Sequence, residues 1–157
     1  MMDIFVDEDA LHLLEQHVEA LLVEIRSYRG STVVVLDGME RVLRGRSFLL
    51  VKICWNRPPV VNKEGADSSR IEDYLPALTG PNDVLQEVDF VDGKLLLYWG
   101  TRLGEMVFDV DRLMCIVRRG VLVGRDANDV RVYSDVLDGT TFTFLNPTRE
   151  MDVLRDL

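Results

Sequence analysis

The chain has 157 residues, the size of one ordinary domain, with 47% apolar residues to build a core and 29% charged residues to solvate it. Acidic residues outnumber basic ones 27 to 18, a net charge of −9 at pH 7. That balance argues against binding nucleic acid or an anionic membrane surface, both of which need clustered cations. No apolar run approaches the ~20 residues that span a bilayer.

The N-terminal stretch from Met1 to Asp9 is acidic and lacks the basic region of a secretory signal, so a cytoplasmic protein is expected. From Ala10 to Tyr28 the apolar residues Leu11, Leu14, Val18, Leu21, Leu22 and Ile25 recur at three- and four-residue spacing, which predicts an amphipathic helix stopped at Gly30. Thr32 to Leu36 is β-branched and reads as a strand closed by an Asp37-Gly38 turn. Ser47 to Trp55 is apolar almost throughout, as a strand covered on both faces would be, and Arg57-Pro58-Pro59 reads as its end. A long polar connection is expected from Asn56 to Asp83, with one short helical candidate at Arg70 to Leu78.

The second half reads as a meander. Val84 to Val91 and Lys94 to Trp99 flank an Asp92-Gly93 turn, and Glu105 to Val110 follows. A short helix is expected at Asp111 to Arg119, then a hairpin of Val130 to Leu137 and Thr140 to Leu145 about Asp138-Gly139. A terminal helix is expected from Arg149. The elements together predict an α+β domain: a mostly antiparallel sheet of hairpins packed with the N-terminal helix and one or two short helices, with no domain boundary in residues 1–157.

The two-residue turn at Asp92-Gly93 sets a register. It pairs Val91 with Lys94, Phe90 with Leu95 and Val88 with Leu97, and places Val88, Phe90, Leu95 and Leu97 on the core side. The next strand keeps the core apolar when Leu97 opposes Met106, Leu95 opposes Phe108 and Lys94 opposes Asp109. The other face then reads in rows: Glu87, Tyr98, Glu105; Asp89, Leu96, Val107; Val91, Lys94, Asp109. An aromatic and aliphatic stripe rimmed by carboxylates suits either partial cover by the first helix or the long loop, or contact with a partner. Glu87, Asp89, Leu96, Tyr98, Glu105 and Val107 are the candidate partner-binding residues.

Other motifs carry less. His12 and His17 are five apart and point to different sides of a helix, so they cannot share a metal. Cys54 and Cys115 lie within apolar runs and read as free, buried thiols in a reducing compartment. Asp126-Ala127-Asn128-Asp129 lacks the glycine and the final glutamate of a calcium loop. Pro81-Asn82-Asp83 with Asp92-Gly93-Lys94 only loosely echoes metal-dependent nucleases, since an asparagine interrupts the first element and Asp92-Gly93 serves as a turn. No catalytic constellation, cofactor motif or metal site is expected.

In size, charge and lack of catalytic residues the chain resembles bacterial immunity proteins, small acidic domains that bind and neutralise a toxin, although no family motif carries the likeness. It implies a non-enzymatic domain, monomeric or homodimeric, whose partner is a basic protein met by electrostatic steering. Two alternatives stand beside it. One is an acidic secretion chaperone, whose α-β-β-β-α-β-β-α order the predicted elements partly resemble. The other is a small enzyme whose site is assembled from residues that no linear pattern reveals.

Overall fold

Alternating side chains decide this architecture, because most of its strands bury at least one face. The computed structural model describes residues 4–28, 30–42, 45–62, 69–70, 83–99, 104–127 and 131–143. In chain order these form β1 (Ile4–Val6), α1 (Asp7–Glu15), β2 (Leu22–Tyr28), β3 (Ser31–Val42), β4 (Gly45–Asn62) and β5 (Ser69–Arg70). There follow β6 (Leu85–Val91), β7 (Lys94–Trp99), β8 (Glu105–Arg125), β9 (Arg131–Asp135) and β10 (Thr141–Phe142). The fold is α+β with a large excess of strand: one curled antiparallel sheet and, among the described residues, one helix.

The sheet meets itself. β2, β3, β4, β8, β7 and β6 pair in that order, every pair antiparallel. An isolated bridge between Leu21 and Val84 joins the two ends. Leu22 N–H donates to Asp83 O at 2.9 Å and Leu85 N–H to Ala20 O at 3.0 Å. Joining the ends in this way removes part of the unpaired strand edge that an open sheet would expose. β8 makes this possible. One of its edges holds β4 from Glu105 to Gly120, while the other takes β7, then β1, then β9 in succession.

Inside the ring lies one apolar core, including Leu22, Val34, Leu49, Val51, Leu95, Leu97, Trp99, Met106, Phe108 and Cys115. Helix α1 adds Ala10 and Leu14 to the same core. A second cluster sits outside the ring, where Val33, Val35, Phe48, Leu50 and Ile116 pack with Tyr133 and Phe142. Tyr133 meets Phe48 edge-on at 5.1 Å and stacks on Phe142 at 5.6 Å. β3, β4 and β8 are therefore apolar on both faces along their middles.

Several expected elements differ. The helix covers Asp7–Glu15 rather than Ala10 to Tyr28; Glu19 takes φ +82 and the chain turns into β2. A bulge between Leu22 and Glu24 lets Leu22 and Ile25 both reach the interior, a three-residue spacing that imitates a helix. Asp37-Gly38 lies inside β3, not in a turn. A Cβ at Gly38 would sit 2.9 Å from the Ser47 carbonyl carbon, so the glycine permits close backbone approach at an irregular register. β4 runs on through Pro58-Pro59 to Asn62, with the prolines between the Arg57–Asp109 and Val60–Val107 pairs where the ladder is interrupted. The connection expected to start at Asn56 therefore begins later, and Arg70 belongs to β5.

Asp111 to Arg119 is strand rather than helix. Leu113 and Cys115 enter the interior core and Ile116 the outer cluster, so a strand buried on both sides reads as an unbroken apolar run. The last hairpin closes earlier than expected: Asp135 N–H donates to Thr140 O at 2.8 Å, leaving Val136 to Gly139 as a four-residue loop. The remainder of the helical candidate up to Leu78 and the terminal helix from Arg149 lie outside the described residues. Among the described residues no helix is long and apolar enough to cross a membrane.

Candidate functional site

The β6–β7 turn is built as its sequence demands. Asp92 and Gly93 have φ of +52 and +77, the left-handed pair of a type I′ hairpin, and Val110 N–H donates to Gly93 O at 3.0 Å. The turn imposes Val91–Lys94, Phe90–Leu95 and Val88–Leu97, and the next ladder gives Leu97–Met106, Leu95–Phe108 and Lys94–Asp109. All six pairs match the expected register. One burial expectation does not hold. Val88 packs against the interior core, but Phe90, one ladder pair from the turn, is 44% exposed and does not join that core.

The six candidate residues are brought together on the outer face. Glu87, Tyr98 and Glu105 form one row, and Asp89, Leu96 and Val107 the next. Residues opposed across a ladder stand ~4.5–5.5 Å apart, so each row is continuous at side-chain scale. Helix α1 packs into the interior core, so it does not cover this face. Tyr98 is 43% exposed, Glu87 and Asp89 are exposed, and Leu96 and Val107 are half-buried.

β4 contributes residues that the sequence reading left out. Val60 pairs with Val107 and is 37% exposed, lengthening the aliphatic row to Leu96–Val107–Val60. Arg57 pairs with Asp109 and places its Nε 4.0 Å from the carboxylate. The only signal for either was the pair of valines after Pro58-Pro59, discounted because the prolines read as a strand end.

The charges on this face are not evenly compensated. Asp109 lies between Lys94 on β7 and Arg57 on β4, so the row nearest the turn carries its own cations. Among the described residues neither Glu87 nor Asp89 has a cation within ion-pair distance. Among the described residues, the carboxylates without a cation at ion-pair distance therefore include Glu87 and Asp89 on β6, beside the exposed aromatic.

Elsewhere the candidates resolve into structural roles. His12 and Gln16 meet at 3.1 Å on the exposed side of α1, and His17 Nδ1 donates to Leu13 O at 2.8 Å just past its end. Cys54 and Cys115 are both free thiols; Cys54 is half-buried and Cys115 buried. Cys115 Sγ lies 3.5 Å from Ala10 O, and burial pushes its pKa up to about 12, so it is unreactive at neutral pH. Among the described residues no three His, Cys, Asp or Glu side chains converge to hold a metal ion. The Asp126 segment extends beyond the described residues at Asn128, as does the nuclease-like echo at Pro81-Asn82. Comparison of the chain with protein-family models, curated protein sequences and solved structures gives no match.

Proposed function

We propose that this chain is a non-catalytic, acidic protein-binding domain and, within that class, an immunity-type protein of the bacterial cytoplasm that neutralises a basic toxin by covering its working surface. The observation that carries the reading is the outer face of β6, β7 and β8. An exposed tyrosine lies between two carboxylates and beside a row of aliphatic side chains, and the one described helix packs elsewhere. Aromatic anchors of this kind supply affinity by desolvated contact, while surrounding charge chiefly sets the association rate and the sign of the partner. A net charge of −9 favours a basic partner. The acidic secretion chaperone stands as the alternative; α1 followed by β2, β3 and β4 matches the start of its element order, and β8 stands where a short helix was expected at Asp111 to Arg119.

The test first asks whether a gene adjacent to this chain's own encodes a basic protein, and uses that protein as the titrant. Tyr98→Ala is expected to weaken binding by about 2 kcal/mol. Charge reversal at Glu87 or Asp89 should mainly slow association and flatten its dependence on salt. If Tyr98→Ala retains full affinity with the fold intact, the binding surface lies elsewhere.

A further inference from the structure

We infer that the partner docks by adding a strand to the open edge of β6, through an extended segment in which basic and apolar residues alternate. This inference rests on the protein-binding role proposed above and places the main-chain contact at the border of the same face.

Among the described strands β6 pairs with β7 alone, and its other edge is held only at its start. There Glu19 N–H donates to Leu85 O at 2.6 Å and Leu85 N–H to Ala20 O at 3.0 Å. Glu19 has φ +82 and the chain before it is turn and helix, so no described strand runs beside Gln86 to Val91. Every residue of that stretch except the half-buried Val88 is exposed.

The two-residue turn at Asp92-Gly93 dictates which main-chain groups are left over. Its flanking pair, Val91–Lys94, is hydrogen-bonded, and bonded and non-bonded pairs alternate from there. The N–H and C=O of Glu87 and Asp89 therefore point into the β7 ladder, and those of Val88 and Phe90 point outward. Outward groups at every second residue are what an extended segment hydrogen-bonds to when it joins a sheet.

The side chains select the segment. Glu87 and Asp89 are exposed on the outer face, with no cation at ion-pair distance among the described residues. The exposed Glu19 stands at the start of the same edge. Lys94 and Arg57 oppose Asp109, and Arg70 pairs with Val60 at the far end of the face, so β6 itself separates each from the open edge. Residues of an added strand that oppose Glu87 and Asp89 are favoured as Lys or Arg, because opposite charges attract across a ladder. On the other face Phe90 is 44% exposed beside Val88, so the intervening residues are favoured as apolar. A second copy of this chain fits poorly. Pairing β6 with itself from Glu87 to Val91 opposes Asp89 to its own copy, and centring the pair on Val88 opposes Glu87 to Asp89.

The experiment titrates the full chain, isotopically labelled, with the capped peptide Thr-Val-Lys-Val-Lys-Val-Thr and reads amide hydrogen exchange by NMR. Saturating peptide is expected to slow exchange at Val88 and Phe90 and to leave Glu87 and Asp89, already in the β7 ladder, unchanged. Methylating the valine nitrogens or the lysine nitrogens gives two further peptides, whose blocked groups lie on opposite edges of an extended strand. One of them should bind about tenfold weaker than the parent and the other equally well. Phe90→Pro removes an outward N–H that β7 does not use, so it should weaken the peptide with the β6–β7 ladder intact. Equal binding of the two methylated peptides, or fast exchange at Val88 and Phe90 whatever the peptide concentration, would overturn the added strand. So would slowing that grows with protein concentration alone, the mark of a second copy. If the added strand fails while Tyr98→Ala still weakens the basic partner, the binding role survives. If Tyr98→Ala also has no effect, both fail.

Discussion

Arg118 and Asp135 form the most consequential pair of side chains outside the ring. Arg118 Nε donates to Asp135 Oδ2 at 2.8 Å, and both side chains are only 9% exposed. Arg118 also lies over the Phe142 ring at 4.4 Å and reaches Thr140 Oγ1 at 3.3 Å. Asp135 in turn accepts from the backbone of Leu137 at 2.8 Å, tying the pair to the β9–β10 loop. Within that loop Asp138 accepts from both the N–H and the hydroxyl of Thr140, which hold its carboxyl below the usual aspartate value. A buried pair of this kind adds little over an apolar replacement, but removing one partner strands the other charge in a poor solvent. Arg118→Met should therefore destabilise the protein by about 3–5 kcal/mol in urea unfolding. Arg118→Met with Asp135→Leu should recover a substantial part of that loss, because no uncompensated charge remains. An unchanged midpoint for the single variant would mean that Asp135 finds water or another partner.

At the scale of elements, the terminal hairpin is held to the outside of the sheet at a glycine. A Cβ on Gly120 would lie 2.7 Å from Phe142 Cζ and 3.1 Å from Tyr133 Cβ. The ring edge can swing aside, but the Tyr133 Cβ is fixed to its strand. Gly120→Ala is accordingly expected to cost about 1–3 kcal/mol as an overpacked contact, and to weaken the near-ultraviolet circular dichroism of the Phe48–Tyr133–Phe142 cluster. Gly120 reads in sequence as a helix stop, which shows where local patterning misleads. The meander was legible because a type I′ turn dictates its register and its two faces have distinct chemistry. Leu113 to Val117 was not, because burial on both faces erases the alternation that identifies a strand. β2 was misread because a bulge converts strand spacing into helical spacing. The candidate site inherits the same division. Its six residues follow from the turn, whereas Val60 and Arg57 depend on a strand continuing past two prolines, a decision made by the tertiary ladder with β8.

For the whole molecule, curling the sheet gives neighbouring residues on one strand opposite tasks. Leu97 is fully buried in the ring, against the same core as Met106, Phe108 and Trp99, while Leu96 is half-buried on the outer face between Asp89 and Val107. The two side chains are chemically identical and adjacent, so a truncation series separates stability from binding without changing residue type. Leu97→Ala opens a cavity in a closed core and should cost about 2–5 kcal/mol of folding stability. Its effect on affinity, measured where the protein is still folded, should be small. Leu96→Ala removes methyl groups from a surface already half in water, so its stability cost should be about 1 kcal/mol or less. It also strips the β7 end of the aliphatic row that the proposed partner covers, so affinity for that partner should fall while the unfolding midpoint barely moves. Paired urea titrations and binding isotherms on the two variants check both halves. The reverse pattern, with Leu96→Ala unfolding the protein and Leu97→Ala weakening binding of the proposed partner, would mean that the inside and outside of the ring are exchanged.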